Sequence, residues 1–270
     1  MKNKKYKSIF ISDVHLGSKD SKASQLNDFL KNYTCESLYL VGDIIDGWKI
    51  QSNKWKWNQS HTNVITRILK LSKQGTKVIY VAGNHDEFLR PLLKYNISFG
   101  KITIVNQYTH NGVDGKRYLI VHGDLFDGIT KLAPWLSFMG DKAYDMLLSF
   151  NTQFNWLRHR MGFGYWSISQ YLKKKVKKAI DFIFQFEENI TNYCIKRKFD
   201  GVICGHIHNL ELKYINDVLY MNSGDFQETC SAIIETHDGE WLSCKLHHGI
   251  WIIEKSLKNH VISNMNIELF

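Results

Sequence analysis

Apolar residues along this chain fall into short bursts of two kinds. Tyr6–Ser12, Ser37–Val41 and Lys77–Ala82 are brief β-rich runs, the last two closing on glycine, and they predict three strands. Between them, Leu26–Tyr33 and Thr62–Lys73 predict helices. In the second, Val64, Ile65, Ile68, Leu69 and Leu71 recur at near-helical spacing until Gly75. Two more strands are predicted over Lys101–Tyr108 and Arg117–Val121, around the turn formers Asn111-Gly112 and Asp114-Gly115. The pattern turns helical from Leu125 to Asp200. Strands return at Gly201–Cys204, Lys213–Ile215, Leu219–Met221, Ala232–Thr236 and Trp241–Leu246, with Asn216-Asp217 and Asp238-Gly239 as turns. No internal repeat is visible. The expected organisation is an α/β sandwich, residues 1–124 and 201–248, interrupted by a helical insertion at 125–200 and followed by a tail at 249–270.

Composition narrows the class. Of 270 residues, 44% are hydrophobic and 13% aromatic, enough for a real core and against disorder. The two prolines, Pro91 and Pro134, mark no linker, and no apolar run nears the roughly 18 residues of a membrane span. The lysines of Met1–Phe10 precede an apolar run that soon meets Asp13, too short for a signal-peptide core. Cys35, Cys194, Cys204, Cys230 and Cys244 are odd in number and unpaired in spacing. They argue for a reducing cytoplasm and against a disulfide framework or zinc finger. A net charge of +9 favours polyanionic partners: nucleic acid, an anionic lipid surface or a phosphorylated substrate. Charge alone does not choose among them.

The chemistry sits just past the strand ends. Asp13-Val14-His15, Gly42-Asp43, Gly83-Asn84-His85-Asp86, His122-Gly123-Asp124 and Gly205-His206-Ile207-His208 each follow an apolar run. In open α/β sheets, ligand sites form at the carboxyl ends of strands. Residues two apart on an extended chain face the same side, so the D-x-H and H-x-H spacings can turn both side chains toward one ion. The set offers two Asp, one Asn and four His with no thiolate, a donor set for Mn²⁺ first, or for Fe or Zn²⁺, in open coordination. Seven ligands exceed what one catalytic ion with an open position can use. They suit two divalent ions about 3.5–4 Å apart with a shared carboxylate.

Five such blocks in this order resemble the calcineurin-like metallophosphoesterase superfamily, over roughly Ile9 to Leu246. The resemblance implies a four-layer α/β/β/α sandwich with a helical lid, and hydrolysis of a phosphoester or phosphoanhydride. It implies that Asp13, His15, Asp43 and His208 hold one ion and that Asp43, Asn84, His122 and His206 hold the other. His85 would donate a proton to, or stabilise charge on, the phosphate, with Asp86 orienting its ring. Ser12-Asp13-Val14-His15-Leu16-Gly17 and Leu38-Tyr39-Leu40-Val41-Gly42-Asp43-Ile44-Ile45-Asp46-Gly47-Trp48 further resemble the UDP-2,3-diacylglucosamine pyrophosphohydrolases of lipid A synthesis, which carry a helical lid in the same position. The principal members of that group have Arg where this chain has His85, and a Thr- and Asp-rich run where it reads Leu125-Phe126-Asp127-Gly128. This chain is closer to the branch with Gly-Asn-His-Asp. The implied substrate is a glycolipid or nucleotide diphosphate, cleaved to UMP and a lipid 1-phosphate; a phosphoesterase acting on a soluble substrate is the alternative. A nuclease of the superfamily usually adds a DNA-binding domain or dimer helices, and neither is evident.

Leu125–Asp200 holds 16 of the 36 aromatics and 12 basic against 7 acidic residues. Substrate-binding candidates lie there. Trp156, Phe163, Tyr165, Trp166, Phe182, Phe184 and Phe186 read as packing residues or as walls of an acyl groove. Lys173–Lys178 reads as a solvated helix face or as a contact for an anionic membrane surface. The expected location is cytoplasmic, with peripheral attachment to the inner face of the cell membrane as the second option. Trp48, Trp55 and Trp57 follow the second block and read as packing or as substrate rim. His61, His110, His159, His237, His247, His248 and His260 fit no block and read as surface or packing histidines.

Overall fold

The computed structural model describes residues 4–95, 98–99, 101–126, 159–161, 168–258 and 261–268. β1 (Lys4–Ile11), α1 (Ala23–Asn32), β2 (Tyr33–Val41), α2 (Gly47–Gln51), α3 (Gln59–Lys73) and β3 (Lys77–Val81) come first. A 3-10 helix (Glu87–Tyr95) leads to β4 (Ser98–Phe99), β5 (Ile102–Val105), β6 (Gln107–Asn111) and β7 (Arg117–Val121). After a 3-10 turn at Asp124–Phe126 and α4 (Ile168–Arg197) come β8 (Gly201–Cys204), β9 (Glu211–Ile215) and β10 (Val218–Asn222). β11 (Ser231–Glu235), β12 (Trp241–His247), β13 (Ile250–Lys258) and β14 (Val261–Glu268) complete the order.

The strands form two mixed sheets, β14-β13-β12-β11-β1-β2-β3-β5-β4 and β6-β7-β8-β10-β9. Strand alternation sends every other residue to opposite faces. Ile9, Ile11, Leu38, Leu40, Val78 and Tyr80 therefore pack with Leu26, Phe29 and Leu30 of α1 and with Val64, Ile68 and Leu71 of α3. Phe10, Tyr39, Val41, Ile79 and Val81 face the second sheet and meet Tyr118, Ile120, Ile203, Leu212, Leu219 and Met221. That two-sided burial is why the carboxyl-terminal halves of β1 and β2, and β3 after Lys77, read as unbroken apolar runs. On the far face of the second sheet Leu119, Val202 and Tyr220 are buried, as are Ile190 and Cys194 in the last turns of α4. The layers run α/β/β/α.

Polar residues also enter the interface between the sheets. Glu235 Oε2 accepts from His110 Nε2 and from Ser8 Oγ, both at 2.8 Å, and Tyr39 Oη lies 2.9 Å from His110 Nδ1. His110 is thus a satisfied core histidine. His61 is buried in α3, while His247 and His248 lie exposed at the β12–β13 turn.

Three features differ from the reading of the sequence. Lys101–Tyr108 is not one strand: β5 lies between β3 and the edge strand β4 of the large sheet and β6 opens the small one, with Asn106 at the corner. Apolar periodicity continues through the corner and cannot register a change of sheet. β2 begins at Tyr33 with no intervening turn after α1. Residues 249–270, read as a tail, carry β13 and β14, which extend the large sheet beyond β12.

The chain divides into two units, 1–126 with 188–270, and 127–187. Within 127–187, α4 is helical from Ile168, Phe184 is exposed and Phe186 is buried. The side chains of Trp156, Phe163, Tyr165, Trp166, Lys173, Lys174 and Lys175 lie outside the described residues, as does His260. Among the described residues no helix is long and apolar enough to cross a membrane.

Candidate metal centre

β1, β2 and β3 run parallel in one sheet, and β7 and β8 run parallel in the other. All five end at the same place, and the residues just beyond their carboxyl ends converge there. The loops are laced by backbone bonds: Asp13 N–H donates to Gly42 O at 3.1 Å, His15 N–H to Asp43 O at 2.9 Å, and Gly205 N–H to His122 O at 3.0 Å. They are packed so closely that side chains of one occupy the space of missing Cβ atoms on the next. A Cβ at Gly83 would strike the Asp43 carboxylate, and one at Gly42 would strike the ring of His122.

The backbone is bent to aim these side chains. Asp13, His15, Asp43, His206 and His208 all adopt left-handed conformations, with φ of 51°, 49°, 54°, 70° and 54°. Such conformations cost about 1–3 kcal/mol each and persist where the surroundings over-determine them, typically at functional sites. The D-x-H and H-x-H pairs are therefore not extended strand segments. Their shared orientation comes from consecutive tight turns, a correction to the expectation drawn from strand alternation.

Each aspartate divides its oxygens. Asp43 Oδ1 accepts from His85 N–H at 2.8 Å, and Asp13 Oδ2 accepts from His206 N–H at 3.0 Å. The other oxygens face imidazoles. Asp43 Oδ2 lies 3.3 Å from His122 Nε2, 3.8 Å from His15 Nε2 and 4.0 Å from His85 Nε2. Asp13 Oδ1 lies 3.2 Å from His208 Nε2 and 3.9 Å from His15 Nε2. Asn84 Oδ1 stands 3.2 Å from His122 Nε2, and the rings of His122 and His206 meet edge to face at 5.1 Å. The seven residues singled out by spacing are thus brought together, with His85 beside them.

The donors are disposed as a cation requires. His122 Nδ1 lies 2.9 Å from the Val41 carbonyl, which only accepts, so the proton sits on Nδ1. In the neutral ring, Nε2 then points a lone pair at the oxygens of Asp43 and Asn84. Three electron-rich atoms converging in a buried site repel unless positive charge lies among them. Asp13 Oδ1 and both nitrogens of His15 are likewise buried without an aligned hydrogen bond. Potential ligand atoms converge in three overlapping groups: Asp13–His15–His208, Asp13–Asp43–His122 and His15–Asp43–His85. Oxygen and imidazole without thiolate fit divalent ions of the Mn²⁺, Fe or Zn²⁺ kind.

Without such ions, protons take their place. Burial opposes the charged form of His122, yet Asp43 and Asp13 outweigh it and raise the ring to about 10. His208 is raised to about 9 by Asp13 against the same burial. Burial also opposes ionisation of Asp43, but His122 and His15 bring it to about 2, and His208 with His122 and His15 carries Asp13 lower still. A divalent ion must displace the protons on His122 and His208, so metal binding is expected to tighten as pH rises through that range. Loading at pH 7 should release about two protons per protein. Titration calorimetry in buffers of different ionisation enthalpy measures that number, and a value near zero would contradict the arrangement.

Asp86 does not do what its neighbourhood in the sequence implies. Its carboxylate turns away from His85 into the core, accepting from Ile44 N–H at 3.1 Å, Ile45 N–H at 2.9 Å and Tyr80 O–H at 2.8 Å. Burial and the charge of Asp43 push it up to about 6. It braces the turn that follows Asp43. The carboxylate on His85 belongs to Asp46, whose Oδ1 lies 3.0 Å from His85 Nδ1 and whose Oδ2 lies 3.7 Å from His15 Nδ1. Burial raises Asp46, but its contacts with His15 and His85 hold it well below the usual range. Spacing offered one signal: Asp46 stands three residues after Asp43, within reach of the same side of the turn.

Two more contacts escaped the sequence. Trp48 covers His85, ring centroids 3.9 Å apart, and is 38% exposed. Arg90 Nη2 donates to Asp124 Oδ2 at 2.6 Å, tying the 3-10 helix after Asn84 to the loop of His122.

A family model, calcineurin-like phosphoesterase, matches residues 6–210 and so takes in all five blocks. The chain belongs to that family. Among curated relatives, this phosphoesterase chain is 30% identical over 122 residues to a UDP-2,3-diacylglucosamine hydrolase of Aliivibrio fischeri (strain MJ11), covering 43% of this chain and 47% of that protein. A protein of the same name from Porphyromonas gingivalis is 26% identical over 129 residues, 44% of this chain and 46% of that one. The matched stretch spans about half the length of these relatives. Similar solved structures include a Vps29 single mutant from Entamoeba histolytica, 13% identical with a TM-score of 0.44 over 97% of this chain and 99% of that one. The phosphoesterase YfcE from E. coli is 15% identical, with a TM-score of 0.40 over 96% and 98%.

Proposed function

We propose that this chain is a two-metal phosphohydrolase. One observation carries the reading: seven oxygen and imidazole side chains from five loops converge, and three of their atoms, Asp13 Oδ1 and both nitrogens of His15, are buried there without an aligned hydrogen bond. Asp13, His15, Asp43 and His208 would hold one ion, and Asp43, Asn84, His122 and His206 the other. Bound there, a pair of divalent ions supplies Lewis acidity toward a phosphoryl group and toward the attacking water.

The remaining work falls to the protein's own side chains. Asp46 accepts from His85 Nδ1 and so turns Nε2 toward the site, where it can hold a proton against a phosphoryl or leaving oxygen. Trp48 covers the same ring and restricts its rotation and its access to water. Asp86, Tyr80 and the Arg90–Asp124 pair keep the loops of Asp43, Asn84 and His122 in register.

The substrate class follows from the relatives' printed names and from the basic, aromatic insertion. We infer a UDP-2,3-diacylglucosamine-type glycolipid, in which water cleaves the diphosphate to UMP and a lipid 1-phosphate. Acyl-chain binding is assigned to residues 125–200, and Lys173–Lys178 to an anionic membrane surface. Each buried methylene contributes about 0.8 kcal/mol, so burying even a few carbons of one chain would dominate affinity. Shortening the acyl chains at constant headgroup is expected to lower kcat/KM progressively, as followed by release of UMP. Equal cleavage of the chainless compound would mean that the substrate is a soluble phosphoester and the insertion is structural.

A further inference from the structure

Trp55 belongs to none of the polar blocks, yet it rests on the loop that carries Asp13 and His15. The strap between α2 and α3 folds back over that loop: Lys54 N–H donates to Lys49 O at 2.9 Å, and Lys56 N–H donates to Gly17 O at 2.7 Å. These bonds bring the six-membered ring of Trp55 against Gly17, where a Cβ would overlap its carbons. Gly17 has φ +98°, so the turn and the contact both need a residue without a side chain. Trp55 is backed in turn. Its ring stacks on Trp57 at 5.1 Å and 12°. Trp57 Nε1 donates to Thr62 Oγ1 at 2.9 Å, and its ring meets buried His61 of α3 at 5.2 Å. A continuous line of contacts therefore runs from α3 to the backbone two residues beyond His15.

His15 needs such support more than its neighbours do. His122 is oriented by the Val41 carbonyl and His85 by Asp46, but neither nitrogen of His15 makes an aligned hydrogen bond. Around its ring stand only looser contacts, among them Asp46 Oδ2 at 3.7 Å from Nδ1 and the edge-to-face ring of His85 at 4.4 Å, so its aim depends on the backbone beneath it, which is left-handed at both Asp13 and His15. We propose that Trp55, backed by Trp57, is a positioning residue for His15, holding this strained loop in the geometry that captures one of the two ions. The proposal rests on the two-metal reading above.

The test is titration of chelator-stripped protein with Mn²⁺, in parallel with thermal melting of the metal-free protein. In Trp55→Ala, one of two Mn²⁺ equivalents should weaken about 10-fold or more, the range seen when an outer support of a metal ligand is lost. The other equivalent and the metal-free melting midpoint should stay at wild-type values. Trp55→Phe should retain both equivalents. Gly17→Ala should weaken the same equivalent, because its methyl both displaces the indole and strains the left-handed turn. Unchanged affinities in Trp55→Ala would overturn the proposal. So would equal weakening of both equivalents with a lowered metal-free midpoint. A wild-type protein that binds no pair of ions would instead remove the two-metal reading.

Discussion

Asp43→Ala is expected to abolish hydrolysis and the binding of both ions in one step. Asp43 is 2% exposed, and among the described residues no other carboxylate faces His122, His15 and His85 together. Its second oxygen also accepts from His85 N–H, so truncation both removes the shared ligand and takes away that amide's partner. Losing about 4 kcal/mol of transition-state stabilisation corresponds to roughly a 10³-fold fall in rate, and loss of both ions should exceed that. Metal content and product release measured on the same sample check the result. Full activity in Asp43→Ala would falsify the binuclear assignment. Asp43→Asn keeps the shape and one neutral oxygen donor, so it should retain some metal at higher concentration.

The second large effect is expected at His85. If Nε2 holds a proton for the phosphoryl group, His85→Ala should lower kcat by about 10²–10⁴ while both ions remain bound. Asp46→Asn should move kcat in the same direction, because an amide no longer fixes Nδ1 as the donor. Combining the two changes should add little, since they act through one ring. The competing outcome is specific. His85 Nε2 also converges with His15 and Asp43, so losing one metal equivalent in His85→Ala would make it a ligand and not a proton carrier. The pH profile separates the two: a proton carrier's removal abolishes one limb, whereas a ligand's removal is offset by added metal.

Much of the site was legible because metal chemistry restricts residue types and loop order together. Asp13, His15, Asp43, Asn84, His122, His206 and His208 each follow an apolar run, and the parallel order of those runs brings their carboxyl ends to one place. What spacing could not supply was the direction of a side chain within a tight turn. Asp86 is adjacent to His85 but points into the core, whereas Asp46, some forty residues earlier, reaches the ring. Adjacent residues in a loop diverge, and partners come from whichever loop is packed against them.

The sequence by itself determined the layers of this protein and the residues that converge at its candidate site. Apolar runs at the carboxyl-terminal ends of β1, β2 and β3 require cover on both faces, and helical stripes in α1 and α3 provide one of those covers. Only the tertiary structure decided where Lys101–Tyr108 breaks between two sheets, that β13 and β14 extend the larger one, and which carboxylate serves His85. It also placed Trp55 on Gly17, 38 residues away in sequence. The physical reason is common to all four. Burial period and donor type are local properties that survive in a string of residues, whereas sheet membership, loop crossings and ring contacts are set by non-local packing, where geometry selects the partner.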